Sequence, residues 1–182
     1  MQIEDKFFDA VYLLKPDVFE DRRGFFFENY SKKVFSELGF GCEFVLEGHS
    51  CNKKKNTIRG LHCQVPPQEQ ALNIRVVQGA VKDVLVDVRK SSPTFGQYVI
   101  ATLSQDNRCQ LLVPPGFAHG FCTLTDDVHM LYKMSAYYAP QHDRTIRWND
   151  SDLQIDWGVM DPVISDKDRD APLLKDVGVL FP

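Results

Sequence analysis

Two histidines stand out from the chain by the residues around them. His62 closes the run Arg59-Gly60-Leu61-His62, and His119 lies within Pro114-Pro115-Gly116-Phe117-Ala118-His119-Gly120-Phe121. Glycine and proline beside each ring are turn-forming residues that let a ligand approach the backbone closely. An imidazole changes charge near neutral pH, so two of them facing a common space could do general acid–base chemistry. Metal chemistry is the competing reading. A strand pocket for zinc or iron wants a third strong ligand, yet the residue two places beyond His62 is Gln64. Two imidazoles alone are too few for such a site. The expectation is therefore proton transfer, with no metal and no cofactor.

Strands must hold these rings. Ile74–Gly79 ends in a glycine turn, and Val81–Val88 alternates, with Val84, Val86 and Val88 on one face and Asp83, Leu85 and Asp87 on the other. Two carboxylates on one face suggest a lined or wet barrel interior, with a structural or polar-network role for both. Tyr98–Leu103, Cys109–Pro114, Gly120–Leu124 and Val128–Met134 continue the pattern, with Ser-Pro, Asp-Asn and Asp-Asp turns between them. Short strands with frequent turns predict an antiparallel sandwich or jelly roll. One short helix fits Ser31–Gly39, capped by Ser31 and stopped by Gly39. From Tyr138 to Pro182 the spacing of Pro, Asp and Gly predicts loops with at most short helices.

At 182 residues the chain reads as one domain, residues 1–182, with a core at roughly 40–135 and a C-terminal tail. A formal charge of -4 argues against nucleic acid or an anionic membrane as partner. No apolar run approaches the roughly 20 residues of a spanning helix, and the first residues lack signal-peptide character. Five cysteines, an odd number without a C-x-x-C pair, read as reduced thiols, most of them in the core. A cytoplasmic setting follows as an expectation.

Several runs taken together are more specific. They include Asp21-x-Arg23-Gly24-Phe25-Phe26-x-Glu28, Arg59-Gly60-Leu61-His62, Ser91-Ser92-Pro93-Thr94-Phe95-Gly96, Pro114-x-Gly116-Phe117-Ala118-His119-Gly120-Phe121 and Leu131-Tyr132-Lys133. Tyr138-x-Pro140, Ile146-x-Trp148-Asn149-Asp150 and Ser165-x-Lys167-Asp168-x-x-Ala171-Pro172 follow in order. Nearly the whole chain resembles the dTDP-4-dehydrorhamnose 3,5-epimerase family. The resemblance implies an all-β, cupin-type jelly roll with short peripheral helices, forming a homodimer and acting on a nucleotide-linked 4-keto-6-deoxyhexose in deoxysugar biosynthesis.

It also implies roles: His62 as base, Asp168 holding its tautomer, Tyr132 as acid, His119 polarising the 4-keto oxygen and Arg59 holding pyrophosphate. Arg23, Phe26 and Glu28 would bind the nucleotide, Arg23 and Glu28 reaching the partner's site. Glu47, Leu72, Tyr138, Asp143 and Lys167 complete the implied substrate contacts. Without the resemblance, His62 and Tyr132 read as core residues, and Asp168, in Asp166-Lys167-Asp168-Arg169-Asp170, as part of a solvated charged loop.

Departures from the family pattern fall in the implied pocket. Gln70-Ala71-Leu72-Asn73-Ile74-Arg75 stands where the family reads Gln-x-Lys-Leu-Val-Arg, so Leu72 replaces a lysine, and Asn73 is expected to face another way. Leu46-Glu47-Gly48-His49-Ser50 stands for Gln-Asp-Asn-His-Ser, replacing two polar contacts with Leu46 and Gly48. A changed sugar, such as a CDP-linked 4-keto-3,6-dideoxyhexose inverted at C5, is one reading; inversion at C3 alone and a non-catalytic sugar-nucleotide binder are others.

Overall fold

The computed structural model describes residues 1–182, and strands dominate it. They are β1 (Gln2–Phe7), β2 (Val11–Lys15), β3 (Phe19–Asp21), β4 (Gly24–Phe26), β5 (Leu46–Asn52), β6 (Ile58–Gln64) and β7 (Leu72–Gln78). There follow β8 (Ala80–Asp87), β9 (Tyr98–Ser104), β10 (Gln110–Val113), β11 (Phe117–Thr123), β12 (Val128–Met134) and β13 (Asp143–Thr145). Helices are confined to α1 (Lys32–Glu37), α2 (Asp166–Arg169) and two single 3-10 turns.

Six strands form one sheet in the order β1-β2-β10-β7-β12-β5, and five form the other as β13-β6-β11-β8-β9. All strand pairings within them are antiparallel. The sheets share an interior of Ile74, Val76, Leu111 and Met130 from the first, and Val81, Leu85, Leu103 and Phe121 from the second. Burying each such side chain stabilises the fold by roughly 1.5–3 kcal/mol.

The alternation in β8 is explained by burial on both faces. Asp83, Leu85 and Asp87 point between the sheets, while Val84, Val86 and Val88 pack outward against Trp157, Leu180 and Phe181 of the tail. Asp87 is fully engaged there: it accepts bonds from Arg89, Ser92 and Thr94, which together hold its carboxyl down at about 2 although burial pushes the other way. On the outer face of the first sheet, Phe35 and Phe40 cover Leu14 and Leu112.

Several sequence expectations need correction. The sandwich is wider than residues 40–135, because β1 and β2 join the larger sheet and β13 joins the smaller. Ser31 occupies the N-cap position of α1 but its side chain makes no capping bond; Gly39 ends the helix as expected, at φ +88°. Of the five free thiols only Cys109 and Cys122 are buried, and Cys51 is exposed. The charged run at Asp166–Asp170 is a helical turn rather than a solvated loop, and Asp168 within it is buried.

Candidate active site

The site begins with a close approach of two backbones. β6 lies beside β11, with His62 opposite His119 in the register. Gly60, at φ +119°, sits so near β11 that a Cβ there would lie 2.5 Å from Gly120 Cα and 2.7 Å from the His119 carbonyl oxygen. Only glycine meets both conditions. The register shifts just beyond His119, so the two histidines face the same side of the sheet at the end of the regular ladder.

His62 Nε2 donates to Asp168 Oδ1 at 2.6 Å. That carboxylate arrives from the far end of the chain on α2, whose first turn is fixed by Ser165 Oγ accepting from the Asp168 N–H at 3.2 Å. Its second oxygen accepts from the Gly60 N–H at 3.3 Å. Burial alone would raise the Asp168 carboxyl, but the bonds from His62 and Gly60 outweigh it and leave the group below its ordinary range. With Nε2 committed, Nδ1 is the free ring nitrogen of His62.

A second imidazole–carboxylate pair stands beside the first. His119 Nε2 bonds both oxygens of Asp83, at 3.0 and 2.9 Å, and the aspartate is fully enclosed. Burial pushes the Asp83 carboxyl up, only partly offset by His119. Both imidazoles thus spend Nε2 on a carboxylate, and no group of three His, Cys, Asp or Glu side chains is arranged to hold a metal ion.

Tyr132 comes from the opposite sheet. Its ring meets His119 edge-on with centroids 6.4 Å apart, and its hydroxyl lies 3.2 Å from Ser50 Oγ. Burial raises the phenol well above its ordinary value, so it stays protonated at any working pH.

His62, His119 and Tyr132 line one cavity of about 270 Å³, together with Leu72, Phe117, Met134, Tyr138, Asp143 and Lys167. Lys167 Nζ bonds Asp143 Oδ2 at 2.6 Å, and the exposed Tyr138 reaches the same oxygen from 3.4 Å. An adjoining cleft shares His62 and Lys167 and contains Arg59, whose Nε is held by Asn52 at 2.7 Å. A larger hollow of about 810 Å³ lies under the tail along Trp148–Asp161. Its buried carboxylate, Asp150, is consumed by backbone N–H groups of Asp152, Leu153 and Leu174, leaving no reactive pair there.

The fold therefore brings His62, Asp168, Tyr132, His119, Leu72, Tyr138, Asp143 and Lys167 together, with Arg59 beside them. Glu47 is not among them: it points outward from β5 and pairs with Lys133. Arg23, Phe26 and Glu28 lie on or just after the β3–β4 hairpin, exposed and outside this cavity; Arg23 is tied to Asp21. Sequence reasoning missed Asp83 as the partner of His119 and Ser50 as the neighbour of Tyr132. The inward aspartates of β8 were a signal for the first, but only the β8–β11 register joins Asp83 to that histidine.

A sandwich cavity with an imidazole on one sheet and a protonated phenol on the other is equipped for proton transfer to and from a bound molecule. The model of the dTDP-4-dehydrorhamnose 3,5-epimerase family matches residues 6–176, and the chain belongs to that family. It is 48% identical over 166 residues to the dTDP-4-dehydrorhamnose 3,5-epimerase of Salmonella typhimurium, covering 90% of each chain. Its fold matches the Legionella pneumophila dTDP-6-deoxy-D-glucose-3,5-epimerase in complex with dTDP-4-keto-L-rhamnose at TM-score 0.94, with 38% identity over 100% of this chain and 97% of that one. A 3'-monoepimerase from Streptomyces bikiniensis in complex with dTDP-quinovose matches at TM-score 0.86, with 31% identity over 99% and 90% of the two chains. The chain is a sugar-nucleotide epimerase of deoxysugar biosynthesis.

Proposed function

We propose that this protein inverts carbon next to the ketone of a nucleotide-diphospho-4-keto-6-deoxyhexose, through an enolate and without a metal. The observation that carries the reading is the meeting of His62 and Tyr132, from opposite sheets, in one cavity. A 4-keto group acidifies the C–H bonds on both neighbouring carbons. His62 Nδ1 takes one such proton, and the electron pair of the broken C–H bond passes into the enolate. Asp168 keeps the proton of resting His62 on Nε2 and stabilises the imidazolium that forms. Tyr132 returns a proton to the other face of the same carbon, which inverts it. Solvent then reprotonates the phenolate and takes the proton from the His62 imidazolium, which restores the resting pair. His119, with Nε2 on Asp83, presents its other ring nitrogen to the ketone oxygen, where a hydrogen bond offsets developing negative charge.

Arg59 and Lys167 suit the diphosphate, since both flank the cleft that joins the cavity at His62. The exposed Phe19, Phe25 and Phe26 on the β3–β4 hairpin support a homodimer in which Arg23, Phe26 and Glu28 reach the partner's nucleotide. Residues 1–182 act as one catalytic unit, with the tail supplying Asp168. A cytoplasmic setting is in keeping with a nucleotide-sugar substrate, and no helix is long and apolar enough to cross a membrane.

Proton NMR in deuterated water, with dTDP-4-keto-6-deoxyglucose and its 3-deoxy counterpart, tests the reading. Deuterium should enter a carbon beside the ketone of at least one sugar and vanish with His62→Asn. No wash-in with either sugar, or an undiminished rate in the variant, would refute it.

A further inference from the structure

The wall of the cavity supplied by the six-stranded sheet is set by its registers. Leu72 lies opposite Met134, Met134 opposite Leu46, and Val113 opposite Leu72 on the other side. This makes a cross-strand row Leu46–Met134–Leu72–Val113. The neighbouring row on the same face is Gly48–Tyr132–Ile74–Leu111. Among these residues the Tyr132 hydroxyl is the only polar side-chain group. Gly48, directly across from Tyr132, contributes no side chain, and Met134 occupies the space: its Cε lies 3.1 Å from where a Gly48 Cβ would stand. Asn73, the nearest amide in sequence, faces away and is bonded to Gln110 Oε1 at 2.9 Å.

Other polar groups do not compensate. Gln64 donates to the carbonyls of Gln68 and Tyr137 and accepts from the Ala139 N–H. Gln70 donates to the Ala136 carbonyl. The remaining polar groups of the cavity lie off the apolar rows: His62, His119 and Asp143 on the other sheet, Tyr138 between β12 and β13, and Lys167 on α2.

We infer, on the basis of the epimerase reading above, that the substrate is a nucleotide-linked 4-keto-3,6-dideoxyhexose and that only C5 is inverted. A 4-keto-6-deoxyhexose joined to a diphosphate keeps two ring hydroxyls, on C2 and C3. The C2 hydroxyl neighbours the anomeric carbon, so it stays near the diphosphate end at Arg59 and Lys167. The C3 hydroxyl neighbours the ketone, and on this inference it enters the space bounded by Tyr132, Leu72 and Met134. There it sheds water, and the only polar side chain of the two rows is Tyr132, whose proton goes to the reacting carbon in the epimerase reading. An apolar pocket of this kind discriminates against an added hydroxyl by about 10²-fold. With C3 a methylene, no stereocentre remains there to invert, and His62 and Tyr132 act on C5 alone. Leu72 is the specificity-determining residue, with Met134 and Gly48 completing the dry edge.

The test compares two substrates carrying the same nucleotide, dTDP-4-keto-6-deoxyglucose and its 3-deoxy counterpart, by deuterium wash-in and kcat/KM on the wild-type protein. The expected result is a preference of about 10²-fold for the 3-deoxy sugar, with label at C5. Leu72→Gln, which restores an amide to the wall, should narrow that preference at least tenfold by raising kcat/KM for the 3-hydroxy sugar. Equal or better turnover of the 3-hydroxy sugar, with label at both C3 and C5, overturns this inference and leaves the epimerase reading intact. An unchanged preference in the folded Leu72→Gln protein overturns the role of Leu72. No wash-in with either sugar overturns the epimerase reading itself.

Discussion

Replacing Asp168 by asparagine changes one atom and should silence the enzyme. Asp168 places Oδ1 2.6 Å from His62 Nε2 and Oδ2 3.3 Å from the Gly60 N–H. Loss of a hydrogen bond to a charged partner costs about 1.5–3 kcal/mol, or roughly 10- to 10²-fold in rate. The amide has a second effect. The Gly60 N–H can only donate, so asparagine turns its carbonyl oxygen to Gly60 and its NH₂ to His62. Nε2 must then accept, the ring proton moves to Nδ1, and the nitrogen meant to take a proton from the sugar already carries one. A comparable tautomer error in a serine protease triad costs about 10⁴ in kcat.

The expected loss for Asp168→Asn is therefore about 10²- to 10⁴-fold in kcat. KM should change by no more than about threefold, because Asp168 is only 3% exposed and meets the substrate through His62. Initial rates of deuterium wash-in across a range of substrate concentrations separate the two constants, and circular dichroism checks the fold. A kcat within threefold of wild type would refute the tautomer argument, since the isosteric amide preserves shape and removes only charge and polarity.

Three further outcomes follow from the geometry. Tyr132→Phe should cut net inversion by 10² or more while wash-in at the same carbon persists, because His62 can still remove and return a proton on its own face; parallel loss of both would remove Tyr132 from the acid role. Gly60→Ala should destabilise the fold by about 3 kcal/mol in urea unfolding, because the new methyl meets backbone on both sides at a φ of +119°; a shift below 1 kcal/mol would show that β6 and β11 can part. Asp87→Asn should lower the melting temperature at neutral pH and leave it closer to wild type in acid. The Asp87 carboxyl is held at about 2, below its unfolded value of about 3.9, so its stabilisation is present above that value and fades as pH falls through about 2. Melting curves between pH 7 and 2 check this, and a constant difference across that range would count against it.

What could be read in advance depended on how far each signal reaches along the chain. Strands β8, β9 and β12 were legible because alternation is a local property, and the two aspartates of β8 marked its interior face. β1, β2 and β13 were not, because each gains its place by pairing with distant strands. The β8 aspartates also took different parts, one under His119 and one in an Arg-Ser-Thr turn, which alternation cannot distinguish. Asp168 by itself reads as one charge among five in a polar segment; its partner lies 106 residues earlier. Glu47 shows the opposite failure. It sits between two inward-facing positions, and a period of two sends it outward to Lys133.

The tail ties the chemistry of this site to the docking of a remote segment. His62, His119 and Tyr132 stand on strands of the two sheets, yet the carboxylate that orients His62 arrives on α2, 106 residues further along the chain. The orientation of the base thus depends on a long-range docking step that the strands alone do not supply. Activity dawns when α2 docks against β6. The loops between Trp148 and Ser165 also carry Leu153 and Trp157 into the outer core cluster, so a cut there would loosen the Val84–Val86–Val88 face together with the base.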